Sequence, residues 1–455
     1  MISLIVDARR ADPEAPALVS RGKTLSYGEL AAWAQSLARG LKNRSLTRVA
    51  LVVSDPATSI ALLAAASAAG CEACSYAAQL SEAEVEELAQ AFGHAAVVTD
   101  RVLSLSGTDV IDVSELGADG DDLDLPESMP LLVLTTGTTA RPKAARHDWQ
   151  RLMEPARRRS GSADERWLLA FNLNQFAGLQ VLLHVMASGG CLVIPDSIQP
   201  RDALDAMRRH GVTHLSATPT FWRFLVALLG NDAEGAPPLV QATLGGEAAS
   251  EQVLDDIRRL FPRARVSHVY ASTEAGSGVS VTDGLQGLPV SVLERGPDAD
   301  VQFRIVDGQL EVRSNVGMFG YLGAEDDAGA DAVWRATGDL VEIRGDRICF
   351  VGRSTETINV GGVKVHPLTI EEAAATVPGV HMAHAYARSN PVSGQIVALD
   401  VVADPATDRE ELEDRIRAAC ESLPPAAQPR RIRFVEELAL RENKVARSAG
   451  PAGAP

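Results

Sequence analysis

Cysteine, basic charge and long apolar runs are all in short supply in this chain, and each shortage removes a class of function. There are five cysteines in 455 residues, Cys71, Cys74, Cys191, Cys349 and Cys420. They are few and scattered, which suits a reducing compartment. Cys71 and Cys74 form a single C-x-x-C with neither a second pair nor a His-x-x-x-His partner, so two small core or helix-end residues are expected there. Lys and Arg number 43 against 60 Asp and Glu, a formal net charge of −17. That balance excludes a broad nucleic-acid or anionic-membrane surface but leaves room for a local basic nucleotide pocket. The apolar stretch Ile60 to Gly70 has the length of a core helix, well short of a membrane span. The opening Met1 to Asp7 is too short for the apolar region of a signal peptide. A cytoplasmic protein without a membrane span is expected.

What is present points to a multidomain α/β protein. Hydrophobic residues at 46% and charged residues at 23% are globular values. A chain of 455 residues is too long for one ordinary core, so two or three domains are expected. Ser26 with Glu29 three residues later reads as a helix cap, followed by helical apolar spacing to Leu41. Short β-rich runs then alternate with helices: Arg48 to Val53, the helix Ile60 to Ala69, the helix Ser81 to Phe92 and the strand Ala95 to Thr99. Residues 104–130 are acidic and turn-rich, as in a surface connection. The alternation implies an α/β, mostly parallel sheet.

The run Leu131-Leu132-Val133-Leu134 reads as a buried strand that stops at Thr135-Thr136-Gly137-Thr138-Thr139-Ala140-Arg141-Pro142-Lys143. Such a loop offers hydroxyls and backbone N–H groups to an anion, with Lys143 adding charge. Taken alone it serves equally as a surface turn. A helix is expected next, around Trp149 to Arg159. Three later strands end in polar or glycine-rich loops: Thr213 to Ala217 at Thr218-Pro219-Thr220, Val240 to Leu244 at Gly245-Gly246-Glu247, and Arg265 to Tyr270 at Ala271-Ser272-Thr273-Glu274. In an open α/β sheet these loops gather at the carboxyl edge, where ligands bind. From residue 289 short strands with hairpin signals at Asp307-Gly308 and Gly345-Asp346 suggest a small β subdomain. A compact α+β unit follows Gly352-Arg353, and the tail Ser448 to Pro455 is expected to be disordered.

As an ordered set, these motifs resemble the adenylate-forming superfamily of acyl-CoA synthetases, peptide-synthetase adenylation domains and luciferases. Thr135 to Lys143 resembles its phosphate loop, Gly245-Gly246-Glu247 its adenine-side loop, and Tyr270-Ala271-Ser272-Thr273-Glu274 its aromatic-x-x-Thr-Glu motif. Thr337-Gly338-Asp339 resembles its ribose-binding motif, Gly352-Arg353 its hinge, Gly361-Gly362-Val363-Lys364 its glycine loop, and Lys444 stands where its final lysine is expected. The resemblance implies a large N-terminal domain of stacked α/β sheets (1–352, with the β subdomain at about 289–352) and a mobile α+β lid (353–447). It also implies ATP and Mg²⁺, a small-molecule acid as substrate, and a thiol acceptor that is CoA or carrier-protein phosphopantetheine.

The implied roles suit the chemistry. A carboxylate attacks the α-phosphate and pyrophosphate leaves, so positioning and charge neutralisation are the levers. Thr135, Thr136, Gly137, Thr138, Thr139 and Lys143 would hold the leaving phosphates. Gly245, Gly246, Glu247, Ala271 and Ser272 would frame the nucleotide, and Tyr270 would lie against adenine. Thr273 would bond the α-phosphate and Glu274 would place Mg²⁺. Asp339 would accept from the ribose hydroxyls, Arg353 would reach the ribose, and Lys444 would bridge the carboxylate and the α-phosphate. Alone, each has a plainer role: Glu274 and Asp339 as solvated loop acids or caps, Tyr270 as core, Lys444 as a surface lysine. The acyl pocket is expected from Asn174, Gln175, Phe176, Ala217, Leu244, Gly245 and Ser272.

Several positions depart from the family pattern. Ala140, Ala144 and Ala271 replace glycines, Asn443 replaces the glycine before the final lysine, and Thr355 stands at the usual hinge Asp or Lys. Gln175 occupies the place of a histidine that borders the carboxylate substrate. Two alternatives to acid–thiol ligation are therefore weighed. One is adenylation of a non-carboxylate such as nitrite for transfer to an amine. The other is a catalytically silent nucleotide-binding homologue.

Overall fold

Helix starts are written into the sequence by their caps. Ser26 and Glu29 form a capping box at the head of the helix Tyr27–Asn43, and Ser81 and Glu84 form another before Glu82–Ala91. Asp55 accepts from Thr58 N ahead of Pro56, which opens the buried Ala-rich helix Pro56–Ala69. The computed structural model describes all residues but 136–141, 159–160, 231–234, 324–332, 392, 439, 442–443 and 446–455, and, in addition, not the side chains of 277, 440–441 and 444–445. The expected disorder of the tail after Arg447 lies outside the described residues.

Two large sheets share the main core. The first runs Gly276–Val281, Arg265–Ser272, Gln241–Gly245, His214–Ala217, Arg166–Leu169, Cys191–Ile194, Pro16–Ser20, Lys23–Ser26. Its interior pairs are parallel and only its two outermost pairs are antiparallel. The second runs Gly320–Tyr321, Lys143–Asp148, Pro130–Thr135, Glu72–Ser75, Arg48–Val52, Ala96–Thr99, Asp109–Asp112. The largest apolar cluster joins Leu18, Leu169 and Leu192 of the first sheet to Leu51, Leu131 and Val133 of the second, through side chains of the helices Tyr27–Asn43, Pro56–Ala69 and Phe176–Ser188. A separate cluster lies on the other face of the first sheet, under Pro200–His210, Pro219–Leu229 and Glu251–Leu260.

After this core comes a five-stranded antiparallel sheet, Leu288–Pro289, Arg347–Arg353, Arg335–Arg344, Gln309–Ser314, Val301–Val306. The remaining unit builds Ile358–Val360, Val363–Val365, Val380–Asn390, Gly394–Ala403 and Arg431–Phe434 into one sheet, backed by the helices Pro367–Ala375 and Arg409–Cys420 around its own core. It touches the rest of the chain through Gln286, whose amide donates to Glu372 Oε1 at 2.8 Å. Among the described residues no helix is long and apolar enough to cross a membrane.

The structure departs from the sequence pattern in places that matter for the site. The segment after the threonine loop is a strand, Lys143–Asp148, paired antiparallel with Pro130–Thr135 so that Thr135 lies opposite Lys143. The expected helix does begin at Trp149 and ends at Arg157. Ala-Ala-Arg-His carries no strand alternation of its own, and pairing to the neighbouring strand decides its conformation. The 104–130 connection contains a strand, Asp109–Asp112, added parallel to the sheet edge. The helix Ile2–Ala11, the hairpin Pro16–Ser20/Lys23–Ser26 and the strand Gly276–Val281 carry no signal noted above. Ala144 is buried in its strand, and neither it nor Ala271 adopts the left-handed conformation, so these two methyls are accommodated without strain. Ala140 lies outside the described residues. All five cysteines are free and buried, and burial pushes the Cys71 thiol up to about 12, against metal or redox use of the C-x-x-C.

Candidate active site

Three parallel strands deliver their loops to one edge. Gly245-Gly246-Glu247 follows Gln241–Gly245, and the Glu247 carboxylate accepts from Thr220 N at 3.0 Å, at the start of the helix Pro219–Leu229. Thr218 caps that helix through Phe221 N, and Trp222 Nε1 donates to the Thr243 carbonyl at 3.0 Å. The Gly-Gly-Glu loop is thereby fixed to the neighbouring strand-to-helix junction. The next strand, Arg265–Ser272, is irregular between Tyr270 and Ser272, and the Ser272 hydroxyl accepts from Ala275 N at 3.1 Å.

Tyr270, Asp339 and Arg353 form a connected group. The Tyr270 hydroxyl donates to Asp339 Oδ2 at 2.7 Å, and Arg353 Nε donates to Asp339 Oδ1 at 3.0 Å. Asp339 and Arg353 sit opposite each other in an antiparallel pair, so the ion pair follows from strand register. The Tyr270 ring stacks on Phe350 with centroids 5.2 Å apart and meets Phe303 edge-on at 5.9 Å. Burial, reinforced by the Asp339 charge, holds the phenol well above its ordinary pKa, so Tyr270 stays a neutral donor. Asp339 is presented by a bulge within the strand Arg335–Arg344: Thr337 Oγ1 accepts from Asp339 N, and Gly338 between them has φ +81°. Only glycine adopts that backbone without strain.

A second group forms around Glu274. The Tyr321 hydroxyl donates to Glu274 Oε1 at 2.8 Å. The Lys143 ammonium lies over the same tyrosine ring, 5.1 Å from its centroid. One phenol thus touches the loop lysine, which pairs with Thr135 across the strands, and the acidic residue. The strand Gly320–Tyr321 reaches this place by pairing with Lys143–Asp148. Just before it, Met318 N donates to the Glu274 carbonyl at 3.1 Å, and a Cβ on Gly317 would lie 2.4 Å from that oxygen. A glycine is required for the approach. Tyr321 was not singled out from the sequence. A Gly-Tyr pair has no chemical signature of its own, and only the sheet edge brings it to Glu274.

The other expected residues fall into three sets. Thr136, Gly137, Thr138 and Thr139 lie outside the described residues. The Lys444 side chain is also not described, though its strand Lys444–Val445 packs against the helix Pro219–Leu229. Asn174 and Gln175 lead into the helix Phe176–Ser188, with Gln175 as its N-cap. Phe176 packs in the core between the two large sheets, while Ala217 and Leu244 are fully buried in the cluster on the opposite face. These pocket candidates are therefore not brought together: strand alternation turns Ala217 and Leu244 away from the side that Phe176 occupies. One residue beside Phe176 was missed. His147 is 2% exposed, contacts the Phe176 ring at 5.6 Å, and neither of its ring nitrogens has a hydrogen-bond partner. Burial lowers its pKa to about 3, so it is neutral.

The donor set suits a hard cation in company with phosphate. Among the described residues no group of three or more His, Cys, Asp or Glu could hold a metal. A lone carboxylate such as Glu274 fits Mg²⁺, which draws its other ligands from phosphates and water.

Two family descriptions match the chain, "AMP-binding enzyme" over residues 6–322 and "AMP-binding enzyme C-terminal domain" over residues 369–444. The chain belongs to the AMP-binding enzyme family. It is thus an adenylate-forming enzyme with the family's C-terminal domain. An isonitrile lipopeptide synthase of Streptomyces coeruleorubidus is 27% identical over all of this chain, which spans 33% of that protein. A 2-succinylbenzoate–CoA ligase of Bacillus velezensis is 27% identical over 90% of this chain and 89% of its own length. The o-succinylbenzoate CoA synthetase of Bacillus subtilis, solved with an acyl-adenylate, superposes with a TM-score of 0.77 over 97% of this chain and 96% of its own, at 22% identity. That last likeness shows a shared fold.

Proposed function

We propose that this adenylate-forming enzyme is an AMP-forming acid–thiol ligase that activates a small carboxylic acid. A carboxylate oxygen attacks the α-phosphorus, the bond to the bridging oxygen of the β-phosphate breaks, and pyrophosphate leaves. A thiol sulfur then attacks the acyl carbonyl and AMP leaves. The observation that carries this reading is the convergence of two groups on the loops around one sheet edge: Lys143, Tyr321 and Glu274 on one side, Tyr270, Asp339 and Arg353 on the other.

In this reading Thr135, Lys143 and the threonine loop 136–139 hold the departing phosphates, and Thr273 bonds the α-phosphate. Glu274 holds Mg²⁺, which neutralises charge on the phosphate oxygens. Tyr270 and the Gly245-Gly246-Glu247 loop flank adenine. Asp339 retains lone pairs beyond those used by Tyr270 and Arg353 and accepts from the ribose hydroxyls. Lys444 bridges the two reacting anions, a task for a mobile point charge. The acceptor is a pantetheine thiol, of CoA or of a carrier protein, led past Gly361-Gly362 and Lys364. Five free, buried cysteines suit a reducing compartment, and we assign the enzyme to the cytoplasm.

The test is acid-dependent exchange of labelled pyrophosphate into ATP across a panel of acids. Exchange with at least one acid is expected, and Lys444→Ala abolishes it while leaving thioester formation from a supplied acyl-adenylate. ATP binding with no exchange for any acid overturns the reading. CoA and an isolated carrier protein, offered in turn, distinguish the acceptor.

A further inference from the structure

The face of the first sheet that looks toward the shared core is apolar along Arg166–Leu169 and polar beyond it. Parallel register sets Trp167 beside His214 and His214 beside Gln241, and two residues further along it sets Leu169, Ser216, Thr243 and Ser267 in one row. Gly245 and Val269 form the next position toward the carboxyl edge. The helix Phe176–Ser188 packs on the strands Arg166–Leu169 and Cys191–Ile194. His184 of this helix reaches the Trp167 ring, centroids 4.9 Å apart. Gln180, four residues nearer the helix start, projects from the same side of the helix, about 6 Å closer to the carboxyl edge.

Solvent reaches into this region. Ser216 lies in a central strand, between Leu215 and Ala217 that are both 0% exposed, yet it keeps partial exposure, as do Val269, Gly245 and Gln180. That partial exposure marks an opening beside the helix at the carboxyl edge of the sheet. Its floor is Trp167, held by its Nε1 hydrogen bond to Glu165 at 2.8 Å and flanked by His184 and by His214 at 4.8 Å. At roughly 3.3 Å per strand residue, the Ser216–Thr243 row lies about 6.6 Å below Gly245 and the floor about as far again. A skeleton of about five carbons, or one aromatic ring, ends level with the polar row.

That row is built of neutral hydrogen-bonding groups. Thr243 and Ser267 are tied to each other at 3.0 Å and to Gln241 at 2.8 Å each, and form the back wall. Gln180 Nε2 is buried and has no hydrogen-bond partner. A buried amide N–H without an acceptor is costly to leave unmade, and a ligand oxygen would satisfy it. Gln180, Ser216, Thr243 and Ser267 carry no charge, so a second carboxylate would be desolvated there without a counter-ion from this row.

We propose that the acid activated here is short and carries a neutral oxygen, a hydroxyl, keto or amide group, at its far end, received by Gln180 and Ser216. This rests on the acid–thiol ligase reading and names its substrate class. A site built to bond such a group discriminates strongly against the analogue that lacks it.

The test uses matched acids in the pyrophosphate-exchange assay: 4-hydroxybenzoate against 4-methylbenzoate, and 5-hydroxypentanoate against hexanoate, with terephthalate and adipate as dianionic controls. The hydroxylated member of at least one pair is expected to exceed its hydrocarbon partner and the dianion tenfold or more in kcat/KM. Gln180→Leu is expected to bring that ratio within about threefold, chiefly through KM, and Ser216→Ala to lower it in part. Hydrocarbon acids that equal or exceed their hydroxylated partners in the unmodified enzyme overturn the inference while leaving the ligase reading in place. So does a ratio unchanged in both variants. Absence of exchange with every acid overturns the ligase reading and this inference together.

Discussion

Tyr321→Phe isolates one hydroxyl at the meeting point of Lys143 and Glu274. The change removes the hydrogen bond to Glu274 Oε1 at 2.8 Å and keeps the ring under Lys143. A hydrogen bond to a charged group contributes about 1.5–3 kcal/mol. Tyr321 is only partly buried, so the lower half of that range applies. At about 1.4 kcal/mol per factor of ten, kcat/KM for ATP should fall about 10- to 40-fold. On the proposed placement of Mg²⁺ at Glu274, the Mg²⁺ concentration at half-maximal rate should rise together with that loss. Tyr321→Leu removes the ring as well. A partly exposed cation–π contact contributes about 0.5–1 kcal/mol, so the leucine variant should be a further two- to fivefold worse. The assay is pyrophosphate exchange at varied ATP and Mg²⁺, with thermal melts confirming that all three proteins are folded at the assay temperature. A phenylalanine variant within twofold of the parent and with an unchanged Mg²⁺ midpoint would refute the positioning role. A leucine variant no worse than the phenylalanine would remove Lys143 from the argument.

Two further outcomes follow from groups next to this one. Gly338 has φ +81° at the strand bulge that presents Asp339; Gly338→Ala should cost about 1–2 kcal/mol of stability, read by urea melts, and raise the KM for ATP more than it lowers kcat. His147 is held neutral by burial, with a pKa of about 3 against an ordinary value near 6.5. The unfolded chain binds a proton below pH 6.5 that the folded chain refuses, so this group's contribution is fully present above pH 6.5 and is lost as pH falls toward 3. His147→Phe should therefore flatten the acid side of the stability profile between pH 6.5 and 4 without loss of stability at pH 7.5; an unchanged acid slope would mean that another group carries it.

What was legible in the chain and what was not divides along physical lines. Capping chemistry is local, so Ser26 with Glu29 announced a helix that forms as written, whereas the cap at Asp55 went unread and the Ala-rich helix starts at Pro56, four residues ahead of Ile60. The apolar runs announced the parallel strands, and the spaced Thr, Gly and acidic motifs announced the family, because reacting groups and tight turns need particular residue types whatever surrounds them. The residues that organise those motifs were silent. Tyr321 is an ordinary tyrosine until a two-residue strand pairs with Lys143–Asp148 and lays it on Glu274. Ala217 and Leu244 immediately precede their motif neighbours in sequence, but the pleat sends them to the other face, into the cluster beneath Pro219–Leu229 and Glu251–Leu260. The polar row of Ser216, Thr243 and Ser267 comes from three separate segments, and only strand register aligns them. By itself, then, the sequence determined the fold class, most of the helices and parallel strands, and the family, all of which rest on local propensity and short motifs. The tertiary structure alone decided which side chains face one another, because facing is a property of register and packing between segments far apart in the chain.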